Sequence, residues 1–152
     1  MTDDELLQGF EAATLPGECF HHEEHVRVAF LYLQRYSALE ALEQFANSLK
    51  RFAARQGKAD RYHETITWAY LLLIRERMAR AEGEETWMEF RSNNADLFDR
   101  ERDILKKYYR EETLASGLAR RTFILPDAGK GSQAERPELR VVHDSEAGTR
   151  PH

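Results

Sequence analysis

Ala38-Leu39-Glu40-Ala41-Leu42-Glu43-Gln44-Phe45-Ala46-Asn47-Ser48-Leu49-Lys50-Arg51-Phe52 repeats its apolar residues every three or four positions. Leu39, Leu42, Phe45, Ala46, Leu49 and Phe52 thereby form one stripe on an amphipathic helix. The helix opens near Ala38, and Gly57 ends it, since glycine adopts the left-handed conformation without strain. A strand would need alternation by twos, and none runs through this stretch. The fold class is therefore all-α.

Working outward, the same period continues on both sides. Leu6, Leu7 and Phe10 mark a first helix, with Asp3 or Asp4 as its expected cap, running to about Thr14 and broken by Leu15-Pro16-Gly17-Glu18. A second begins near His21 or His22 and runs to Tyr36, with Ala29, Leu33 and Tyr36 on one stripe. A fourth, capped by Asp60, spans about Arg61 to Ala81. Its middle, Trp68-Ala69-Tyr70-Leu71-Leu72-Leu73-Ile74, is apolar nearly all round, the mark of the most buried helix in a bundle. Further helices are expected over Glu85–Arg91, Asp96–Tyr109 and Glu111–Phe123. The reading is a compact bundle of five to seven helices over residues 1–126. Residues 127–152, rich in glycine, proline and charge, read as a flexible tail that buries too little surface to order itself. Within that tail, Leu139-Arg140-Val141-Val142 is at most a candidate for a weak docking segment.

Composition narrows the function. The chain has 152 residues, 41% hydrophobic and 32% charged, with a formal net charge of −5. That balance describes a soluble globule and argues against nucleic acid, whose phosphates need a basic surface. No run approaches the roughly 20 apolar residues of a membrane span. The acidic N-terminal residues lack an apolar signal core, so the expected location is the cytoplasm. The single cysteine, Cys19, excludes an internal disulfide and multi-cysteine metal sites, and reads as a small buried hydrophobe. No glycine-rich phosphate loop and no Gly-x-Ser-x-Gly is present.

The concentrated chemistry is histidine. His22 and His25 sit one turn apart and fall on the backward extension of the Ala29–Leu33 stripe, whereas His21 falls off it toward solvent. His63, in Tyr62-His63-Glu64-Thr65-Ile66-Thr67, shares a stripe with Ile66, Thr67 and Tyr70. Three neutral imidazoles from two helix starts suit one divalent ion, zinc or iron first, with a position open for water or a small-molecule substrate. Glu64 and Tyr70 are the candidate catalytic groups, as general base or supporting partner. Without a metal, His25 or His63 would carry a proton instead. Tyr32, Tyr36, Tyr62 and Tyr70 are candidates to line a cavity, Glu23 and Arg27 an i,i+4 pair, and Arg120-Arg121 a helix C-terminal charge.

The motifs Phe20-x-His22-x-x-His25 and Tyr62-His63-x-Thr65-Ile66-Thr67 resemble a pattern of small bacterial all-helical proteins without established activity, from about Leu15 to the Phe123-Ile124-Leu125-Pro126 ending. That resemblance implies that His22, His25 and His63 act as a set. In site type the arrangement is also similar to the DinB-like bundles, which hold a metal through three histidines, with the histidine pair late in the chain rather than early. Two functions are thus expected as rivals. One is a metal-dependent enzyme acting on a small molecule. The other is a metal-free helical interaction or regulatory module whose histidines are structural. The sequence leaves the oligomeric state open.

Overall fold

The computed structural model describes residues 1–129. Among them the chain is an all-α bundle: α1 (Asp3–Glu11), α2 (His22–Arg35), α3 (Ala38–Arg55), α4 (Glu64–Arg80), α5 (Trp87–Asn93), α6 (Glu111–Leu114) and α7 (Gly117–Arg121). Short 3-10 turns join them at Gly17–Cys19, Ala59–Arg61, Ala95–Phe98 and Ile104–Lys107. Three helix starts are fixed by reciprocal caps, Thr2 with Glu5, Ser37 with Glu40 and Thr86 with Glu89. In each the hydroxyl accepts a backbone N–H that has no intrahelical partner, and the glutamate accepts from the cap residue's own N–H. Gly57 closes the segment after α3 at φ 71°, as its sequence position foretells.

The most buried helix is α2, not α4. Val28, Ala29, Phe30, Leu31, Tyr32 and Leu33 are all buried in succession, so every face of α2 is covered. α3 and α4 pack along it, α1 lies across it through Phe10 against Tyr32, and α5 closes the far side through Phe90 and Trp87 against Phe30. α4 keeps Leu71 and Ile74 inside but leaves Leu72 on the surface. Its apolar run is wider than the face its neighbours cover. Leu39, placed on the α3 stripe, is 80% exposed in the first turn, beyond the reach of the core. Tyr36 lies in extended backbone just past α2 and is exposed as well.

The helix expected over 96–109 is two 3-10 turns instead. Asp99 Oδ1 accepts the N–H groups of Glu101 and Arg102, and Asp103 Oδ1 accepts that of Leu105. Aspartates that bind nearby backbone compete with helix propagation. The segment 111–123 likewise splits, because the Ser116 hydroxyl accepts from Ala119 N and starts α7 afresh.

Beyond α7 an extended strap crosses α4. Buried Thr65 ties it down twice: its hydroxyl donates to Thr122 O at 2.8 Å and accepts from Ile124 N at 3.0 Å. The Tyr109 hydroxyl donates to Ile124 O. The strap runs past the expected boundary at 126, since Asp127 N and Ala128 N both donate to Tyr108 O. The remainder of the expected tail, residues 130–152, lies outside the described residues. No helix among the described residues is long and apolar enough to cross a membrane.

Removing the Thr65 hydroxyl at constant shape strands a part-buried carbonyl and a part-buried N–H together. Thr65→Val is therefore expected to lower unfolding free energy by about 2 kcal/mol, measured by urea denaturation. A loss no larger than that of an exposed threonine change would contradict the strap's role.

Candidate functional site

His63 is not a helical residue but the cap of α4. Asp60, the expected cap, lies one short turn earlier, in Ala59–Arg61. The His63 ring accepts Ile66 N–H at Nδ1, 3.1 Å, in the manner of a serine or aspartate cap. Its other nitrogen, Nε2, donates to Leu114 O at 2.8 Å. A carbonyl only accepts, so Nε2 carries the proton and Nδ1 offers its lone pair to the helix. Both ring nitrogens are consumed by the fold.

His22 and His25 lie elsewhere, in a cleft between the first turns of α2 and α4. His22 Nε2 donates to Leu97 O at 2.8 Å, and its ring meets the edge of Tyr70 at a centroid distance of 5.0 Å. The Tyr70 hydroxyl donates to Asp103 at 2.9 Å. Burial and the Asp103 carboxylate both push the Tyr70 phenol well above its ordinary value, so it stays protonated. His25 stacks near Phe20, 4.3 Å between ring centres. Among the described residues its ring has no hydrogen-bond or ion-pair partner.

The cleft has two chambers that share His22, His25, Ile66 and Tyr70. The inner one, about 90 Å³, is walled by Val26, Ala29, Phe45, Leu49, Thr67 and Ile74. The outer one, about 400 Å³, opens past Phe20, His21, Asp99, Arg100 and Asp103. Burial pushes the His25 imidazole down to about 4, and the neighbouring His22, His21 and Arg100 add to the shift. At neutral pH it holds one N–H donor and one free lone pair toward the cleft.

These positions bear on the expected three-histidine metal set. The ligand set does not fit: a lone pair already given to Ile66 N–H is not available to an ion. Among the described residues no group of three or more His, Cys, Asp or Glu side chains is placed to hold a metal. Glu64 accepts from the Tyr62 hydroxyl at 2.7 Å and lines neither chamber. Of the four tyrosines expected at a cavity, only Tyr70 reaches it; the Tyr32 hydroxyl binds Glu11. Glu23 and Arg27 do not pair with each other but reach Arg91 and Asp3. Cys19 is exposed rather than buried, and Arg120 donates to Asp60 O. Sequence reasoning missed Asp103 and Arg100 because both sat inside a presumed helix. The signal was the Asp99-x-x-x-Asp103 spacing of turn-forming aspartates.

No family model, no curated protein and no solved structure matches the chain.

Two outcomes follow from this geometry. His63→Ala removes a cap and a tertiary hydrogen bond, with an expected cost of about 2 kcal/mol, while excess zinc leaves the melting temperature of the parent protein unchanged. The second concerns pH. The unfolded chain binds the His25 proton below about 6.5 and the native state only near 4. Native stability is thus fully present above 6.5 and falls as pH drops toward 4. Between pH 7 and 4.5 the His25 share of that loss is about 2–3 kcal/mol. Urea denaturation at the two values in parent and His25→Phe protein isolates it; equal slopes would refute the assignment.

Proposed function

We propose that the cleft binds a small uncharged molecule, and that this protein is a metal-free ligand-binding module rather than an acid–base enzyme. The observation that carries the reading is His25. A half-buried imidazole with neither nitrogen satisfied by protein is costly unless a ligand or water completes it. His63, by contrast, is satisfied at both ring nitrogens, and His22 at Nε2.

The ligand's charge follows from what surrounds the neck. Burial and Arg100 already repel a proton from His25, so a cation meets the same penalty. Asp99 and Asp103 border the mouth and outnumber Arg100 there, so an anion meets more repulsion than attraction. A neutral group that both donates and accepts, such as a hydroxyl or an amide, matches the two nitrogens of neutral His25. Size follows from the inner chamber. Cavities near 150 Å³ admit benzene, so about 90 Å³ takes a short branched alkyl group of roughly three to five carbons.

The size of the His25 shift supports binding over general-base chemistry. Efficient proton transfer needs a pKa near the working pH, and an imidazole near 4 is too weak a base for that task at neutrality. Tyr70, held protonated by Asp103, supplies no base either.

The test is ligand-observed NMR with short branched alcohols and amides against the matching carboxylates and alkylammonium ions. The uncharged compounds are expected to bind at least about tenfold more tightly, a 1.4 kcal/mol preference. Binding should be lost in Ile66→Trp, which fills the neck, and weakened in His25→Phe. Retained binding in both variants, or a preference for ions, would sink the proposal.

A further inference from the structure

Asp103 stands at the mouth of the histidine cleft with its two oxygens in unlike situations. Oδ1 accepts the Tyr70 hydroxyl at 2.9 Å and the Leu105 N–H at 3.0 Å, and these two bonds hold the carboxylate in place. Oδ2 has no hydrogen-bond or ion-pair partner among the described residues. The side chain is nonetheless only partly exposed and lines the outer chamber. A carboxylate oxygen is a strong acceptor, and taking it from water unpaired is costly. Arg100 borders the same chamber, and its guanidinium likewise pairs with none of the described residues.

The polar groups open to a ligand can be counted. Neutral His25 offers one N–H and one lone pair, Asp103 Oδ2 a second acceptor and Arg100 a second donor. A primary carboxamide carries two N–H hydrogens and a carbonyl oxygen with two lone pairs, which meets two acceptors and two donors. A hydroxyl has one hydrogen to give, so either His25 or Asp103 stays unpaired. An ammonium has no lone pair for the His25 N–H, and a carboxylate ligand has no hydrogen for Asp103. The inner chamber, about 90 Å³ and walled by Val26, Ala29 and Ile74, receives the alkyl end.

We infer that the cleft selects a short branched primary carboxamide, with Asp103 Oδ2 accepting one of its amide hydrogens. This rests on the cleft being a site for uncharged ligands, and adds the residue that chooses among them.

The experiment measures dissociation constants of isovaleramide and isoamyl alcohol by ligand-observed NMR, with the full chain as parent and as Asp103→Asn. The substitution keeps one oxygen for Tyr70 and Leu105 and turns the other corner from an acceptor into an N–H donor. The parent is expected to bind the amide at least about tenfold more tightly than the alcohol. In Asp103→Asn the amide should fall to the level of the alcohol. The alcohol itself, whose hydroxyl turns to accept instead, should change by less than about twofold. The parent comparison stands by itself should the variant fold poorly. Equal affinities in the parent, or a preference that survives in Asp103→Asn, would overturn this inference and leave the uncharged-ligand reading intact. Binding of neither compound would overturn both.

Discussion

A helix buried on every side dictates the rest of this protein. From Val28 to Leu33 each side chain of α2 is buried, which no single partner helix can achieve, because one neighbour covers only a stripe. Four helices are therefore arranged about α2, and their lengths decide where coverage stops. It stops at the first turn. There His22 and His25 emerge from the packed region beside the start of α4, and the gap between the two helix starts is the cleft. The site is what remains where the packing of α2 runs out.

The all-α class was legible because the α3 stripe, from Leu42 to Phe52, repeats at helical spacing and no segment alternates. Thr2, Ser37 and Thr86 cap their helices by a local rule, hydroxyl and glutamate three residues apart, yet the expected first cap was Asp3 or Asp4, which lie inside α1. Residues 96–123 were not legible in the same way. Their apolar residues fit a helical period, yet Asp99, Asp103 and Ser116 bind adjacent backbone and divide the segment. Periodicity reports which residues face inward; it does not report when a side chain outcompetes the helix for its own N–H groups. The ranking of α2 and α4 failed for a related reason. An apolar run measures the surface a helix can bury, whereas burial depends on how many neighbours arrive.

The three histidines illustrate how far residue type carries an argument about function. Spacing placed all three at helix starts, and the structure does too. What separates them is the partner of each nitrogen. His63 is spent on capping α4 and holding Leu114, His22 holds Leu97, and His25 holds none of the described residues. Leu97 and Leu114 enter as backbone carbonyls, far away in sequence, and a carbonyl is the same on every residue. No pattern of side chains could reveal them.

Those ties have an order in time. Thr65 waits for Thr122, His63 for Leu114 and His22 for Leu97, so polar atoms in the first half find their partners in the second. During vectorial synthesis α1 through α4 emerge first and can collapse together. Until the stretch beyond residue 122 leaves the ribosome, the Thr65 hydroxyl has only water for company. The strap is thus the last stitch of the fold, and the nascent protein carries an unfinished seam along α4 until it is sewn.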